Sequence, residues 1–168
     1  MNHSLTLAVF LLLLVSACAV PLTPHEYRKA AKAGEALSTF ESFDVNRPVS
    51  EVAATFKAKA AECLSYKMGE TKRPVIGVGS STHYYGVTKP TVRRSKDKVE
   101  LYFQVAYEHE VGNVPDGGMY HLVADAYPHG KTTRVDVYRR TNAGVLGQAV
   151  KGWASGQNLG CPDPSTYL

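Results

Sequence analysis

Between Tyr66 and Arg140 apolar side chains tend to recur at every second position, and this period limits the fold more than any other feature of the chain. The clearest stretch is 98–109. There Val99, Leu101, Phe103, Val105 and Tyr107 fall on one side, and Glu100, Tyr102, Gln104 and Glu108 on the other. Such alternation describes a strand with one dry and one wet face, the mark of an antiparallel sheet covered on one side. Turn signals divide the region: "KRP", "GSS", "RSKDK", "GNVPDGG" and "PHGK". They predict strands near 65–70, 75–78, 82–88, 98–109, 119–127 and 132–140.

Helical periods flank this region. Val49, Val52, Ala53, Phe56, Ala60, Cys63 and Leu64 share one helical face behind Pro48. A second stripe, Leu146, Ala149, Val150, Trp153 and Ala154, marks a helix over about 143–157. Gly147, Gly152 and Gly156 weaken it intrinsically but would admit a close approach to the sheet. "TFESFDVNR" from Thr39 reads as a further strand, and "TPHEYRKAAKAG" as a short helix over 24–33. Thr23 and Glu26 form a capping box there, Pro24 takes the first position and Gly34 the stop. The reading is α+β: an antiparallel β-meander sheet with two main helices on one face.

A composition 44% hydrophobic and 20% charged is that of a folded domain, and the net charge of +4 suits anionic surfaces more than nucleic acid. Cys63 and Cys161, far from a C-x-x-C spacing, read as one structural disulfide in an oxidising compartment. Two separate buried thiols are the alternative. Both cysteines fall at helix ends, which could meet if the helices share a sheet face.

Leu5–Val15 is apolar and free of charge but only 11 residues long. Spanning a bilayer takes roughly 20, so the run has the length of a signal-peptide core. Val15-Ser16-Ala17-Cys18 follows, and it resembles the lipobox of bacterial lipoproteins. The resemblance covers about the first 18 residues. It implies acylation of Cys18 and cleavage before it, and Ala19, where Asp would favour the inner membrane, implies the outer membrane. Cleavage before Val20, by a small-x-small signal site at Ala17-Cys18-Ala19, remains open. The layout of residues 40–160 is similar to helix-grip domains and to small α+β domains of some outer-membrane assembly lipoproteins. The division is then 1–17 signal peptide, 18–38 lipidated terminus and basic tether helix, and 39–168 a single domain.

Motifs for chemistry are missing from the sequence. "GWASG" places Ser155 one position late for a nucleophile elbow. "GVGSST" lacks the lysine of a P-loop, and "HEVGN" lacks the second histidine of H-E-x-x-H. The six histidines show no metal-ligand spacing. No catalytic residue, metal or cofactor is expected.

The candidate binding face lies on the sheet: Tyr102, His121, Asp125, Arg134, Asp136 and Tyr138, where aromatics interleave with charge. The alternative is a solvated face with cross-strand pairs such as Asp125–Arg134. Lys89, Arg93, Arg94, Lys96 and Lys98 cluster about a turn and could meet anionic lipid or glycan, or simply solvate a hairpin tip. The expected function is a membrane-anchored, non-enzymatic interaction or assembly module facing the periplasm, partnered by the membrane and by another envelope protein or anionic lipid. A small-ligand or lipid carrier, soluble if cut before Val20, is the alternative.

Overall fold

The computed structural model describes residues 20–74, 81–108 and 112–168, with backbone alone over 69–74 and 81–85. The sequence-predicted strand at 75–78 and the residues around Cys18 lie outside them.

Six antiparallel strands form one sheet: β1 (Ser38–Val45), β2 (Lys67–Pro74), β3 (Ser81–Arg94), β4 (Val99–Tyr107), β5 (Met119–His129) and β6 (Thr132–Arg140). Their order is β1-β6-β5-β4-β3-β2. Four hairpin connections build the meander β2 to β6. β1 adds antiparallel to β6, with Phe43 opposite Val135. Consecutive strands β1 and β2 therefore occupy opposite edges, and the helix joining them must cross the whole sheet. That helix is α2 (Val49–Cys63). α3 (Gly144–Ala154) lies beside it on the same face, so the α+β, helix-grip-like layout anticipated from the sequence is the one found.

The centre of the inner face is apolar. Val99, Leu101, Phe103 and Val105 of β4 join Leu122, Ala124, Ala126, Val135 and Val137 beneath Val52, Phe56, Ala60, Leu146, Val150 and Trp153. Burying a side chain such as Phe56 contributes about 1.5–3 kcal/mol. Gly147 lets α3 approach β6, since a Cβ there would stand 2.6 Å from Arg139 Cδ. At Gly152 the crowding neighbour is Leu159, in the segment after the helix, and not the sheet.

Cys63 ends α2 and is bonded to Cys161 beyond α3, with Cα atoms 4.9 Å apart. The bridge spans 98 positions. In the chain-entropy account, closing a loop of this size stabilises by about 4–5 kcal/mol.

Two expectations about the β3 region change. β3 does not stop near 88 but continues to Arg94, paired with β4 as far as Val99. Its described pairing with β2 ends at Val87, so Pro90 sits on an edge stretch, where a missing N–H is tolerated. Lys89, Arg93 and Arg94 are thus strand residues, and only Lys96 and Lys98 belong to the hairpin end.

The larger correction is α1 (Pro24–Ala33). Its capping box and the left-handed Gly34 form as the sequence predicts. Yet it is no solvated tether outside a domain beginning at residue 39. Tyr27, Ala30 and Ala31, one stripe at i, i+3 and i+4, are buried. With Tyr102, Tyr120, Val123 and Tyr138, Tyr27 and Ala31 form a second apolar cluster on the outer face of the sheet. The fold is a sheet with two helices on one side and one on the other.

Candidate interaction surface

α1 is held to the outer face by charge as well as by its apolar stripe. Arg28 Nε and Nη2 donate to the two carboxylate oxygens of Asp125 at 2.7 and 2.6 Å, and Nη2 also reaches Glu100 Oε1 at 2.6 Å. Lys98 closes on the same Glu100 oxygen at 2.6 Å. The side chains of Arg28, Asp125 and Glu100 are 17%, 8% and 16% exposed, so these are partly dehydrated pairs of fork geometry. Burial disfavours the charged Arg28 guanidinium, but hydrogen bonding to Asp125, its charge and Tyr102 together outweigh this and raise the pKa. Burial likewise opposes ionisation of Glu100. The bond from Lys98, with further hydrogen bonding and nearby charge, wins and holds this carboxyl low. Tyr27 adds a bond from its hydroxyl to the His121 carbonyl, 3.1 Å.

The register explains why Arg28 is needed. Asp125 stands directly opposite Asp136 across β5 and β6, a repulsive pair. Arg28 neutralises one member. The other accepts from Ser42 Oγ at 2.6 Å, Tyr127 Oη at 3.1 Å and Tyr138 Oη at 3.3 Å.

Of the six sequence-predicted face residues, Tyr102, Asp125, Asp136 and Tyr138 do share the outer face, largely beneath or beside α1. Arg134 shares that face but not their network. It pairs with Asp44 of β1 at 2.7 and 2.9 Å, not with Asp125. His129 joins the same carboxylate at 2.9 Å, and the Arg134 and His129 bonds outweigh hydration loss to lower the Asp44 pKa.

His121 is on the other side. Phe103 faces Leu122 but Gln104 faces Tyr120, so β5 carries one extra residue at His121. The bulge turns its ring inward, 1% exposed, edge-on to Phe103 with centroids 6.2 Å apart. Tyr107 Oη lies 3.4 Å from Nε2, and among the described residues Nδ1 has no hydrogen-bond partner of full geometry. Burial and then the Arg140 charge push this imidazole down to about 4, with only the Tyr167 backbone acting the other way. A neutral imidazole walled off from solvent is poorly placed to shuttle protons. Beside it, Tyr66 Oη donates to Tyr167 Oη at 3.0 Å, and Tyr167 is edge-on to Phe103.

Arg28 and Tyr27 were missed as members of the surface. The one signal that could have found them is the spacing Tyr27, Ala30, Ala31, an apolar stripe too narrow for a helix in free solution.

The chain is thus an α+β domain in which two helices cover one face of a six-stranded antiparallel sheet and a third is ion-paired to the other. No protein-family model matches it, and no curated protein does. Among solved structures it is similar to CalU16 from Micromonospora echinospora, at 14% identity and a TM-score of 0.41, over 82% of this chain and 83% of that one.

Proposed function

We propose that the chain is a lipid-anchored envelope protein, acylated at Cys18, whose domain is a non-enzymatic interaction module at the periplasmic side of the outer membrane. The observation that carries this reading is the docking of α1. Residues 19–23 alone separate Cys18 from Pro24. Five residues reach at most about 18 Å, so an acylated Cys18 would hold the outer face of the sheet close to the bilayer. Two or more acyl chains anchor stably where one does not. The ion-paired Asp125 and Glu100, beside a hydroxyl-bonded Asp136, suit a built surface.

A second reading, a small-ligand carrier released by cleavage before Val20, draws on the unpartnered Nδ1 of His121 and the neighbouring tyrosine hydroxyls. One measurement separates the two: the intact mass of the protein extracted from its native envelope. A chain starting at Cys18 with added acyl mass is the expected result. A bare chain starting at Val20, carrying a small molecule in its native spectrum, would replace the anchor by the carrier.

A further inference from the structure

We propose that the part of the outer face that the described residues leave open, from Lys67 of β2 to Val87, Lys89 and Arg93 of β3 together with the exposed side of α1, docks on a bilayer bearing anionic phospholipid headgroups. The proposal rests on the anchored reading for its orientation, but its chemistry is independent. Strand register assigns the side chains. Thr91 stands opposite the outward Tyr102, Arg93 opposite Glu100 and Lys89 opposite Gln104. Val87 follows in the same alternation, paired with Lys67. Lys67, Val87, Lys89 and Arg93 are therefore outward neighbours, and all four are exposed.

Among the described residues cations predominate on this face, with Glu26 on α1 and Glu108 after β4 as exposed carboxylates at its margins. Glu100 and Asp125 are already taken by Arg28 and Lys98. Among the described residues, Lys67, Lys89 and Arg93 have no carboxylate within ion-pair distance. The patch is continuous with α1, because the guanidiniums of Arg93 and Arg28 both lie over the Tyr102 ring, at 5.5 and 5.8 Å from its centroid. Lys29 is exposed on the helix, and Val20 and Leu22 are exposed at its entrance. Unpaired cations with scattered apolar side chains between them match a headgroup layer, which offers phosphate charge above an apolar interior. The attraction is worth about fivefold in affinity per cation near such a surface and is screened by salt within about 10 Å.

The test uses the full chain and its Cys18→Ser variant, each distributed between phosphatidylcholine vesicles and vesicles also containing phosphatidylglycerol. Preference for the anionic vesicles, collapsing at high salt, is expected for both. The triple variant Lys67→Gln, Lys89→Gln, Arg93→Gln should lose that preference by about fivefold per charge. Lys57→Gln, exposed on α2 across the sheet, should change it less than twofold. Equal distribution, or an equal loss in Lys57→Gln, overturns the proposal and leaves the face to a protein partner or to net charge alone. The two readings fail separately. A chain without acyl mass that keeps its anionic preference removes the anchor and spares the face, and an acylated chain indifferent to headgroup charge does the reverse.

Discussion

The two faces of the sheet are closed by different physics. Inside, α2 and α3 lie on apolar side chains, with a disulfide tying their ends together and one half-exposed ion pair, Lys151 to Glu41, at the β1 edge. Outside, α1 buries a smaller tyrosine-rich cluster and draws much of its hold from Arg28 on Asp125 and Glu100. Apolar burial is indifferent to pH and salt over ordinary ranges, whereas dehydrated ion pairs depend on both partners staying charged. The inner face should therefore set global stability and the outer one should be the adjustable layer.

The comparison breaks most visibly at Phe56, fully buried between α2 and the sheet. Phe56→Ala should cost about 3–5 kcal/mol in urea unfolding followed by circular dichroism. A cost below about 1 kcal/mol would mean that the inner face is loosely filled and that stability is lodged elsewhere.

His121 sharpens the comparison, because it places one titrating group inside the apolar face. Its folded pKa is about 4 against an ordinary 6.5, so between those values the unfolded chain binds the extra proton and the folded one does not. Stability from this source is intact above pH 6.5 and falls as pH drops toward 4, by on the order of 3 kcal/mol. Glu100, Asp44 and Asp163 are lowered carboxyls. Their contributions are present above the ordinary carboxylate range and are lost only as pH falls through their lowered values. Among the described groups, His121 is accordingly the one expected to give a slope between 6.5 and 4. That slope should flatten in His121→Leu, measured as unfolding free energy against pH. An unchanged slope in that variant would place the proton elsewhere.

The inner face was legible for a physical reason. Val99, Leu101, Phe103 and Val105 alternate, and the α2 stripe repeats at helical spacing, so each element declares its own dry side. The cysteines were legible as a pair left over by the terminal segment, lying at or just past helix ends. His121 was not, because a bulge is one extra residue whose cause is distant. Gln104 Nε2 donates to the carbonyls of Asp116 and Gly118 at 3.0 and 2.9 Å, pinning the loop that feeds β5. Gly118, at φ 95°, packs its α-carbon against the Val105 backbone, where no Cβ would fit. Counting alternation through Tyr120 and His121 puts the ring on the wrong face by one residue. The latch was hidden by distance: Arg28 and Asp125 are 97 positions apart, and a basic residue on a short helix looks the same whether solvated or paired.

Arg28 gives the finest test of the contrast. Removing it leaves Asp125 opposite Asp136 with its charge uncompensated and Glu100 with Lys98 as its remaining cation. Hydrogen bonds to charged groups are worth about 1.5–3 kcal/mol each in favourable settings, and exposed pairs far less. At 17% exposure Arg28 lies between these limits, so Arg28→Ala should cost about 1–3 kcal/mol. The size matters less than its distribution. If α1 is an adjustable layer, its amides should exchange about 10- to 100-fold faster while those of β4 and β5 change little, because α1 opens without the core. Uniform loss of protection across α1 and the sheet would show one cooperative unit, and the division between the two faces would fail. High salt offers an independent check on the wild-type chain. It should accelerate exchange in α1 and spare α2, whose hold on the sheet contains no charge pair of this kind among the described residues.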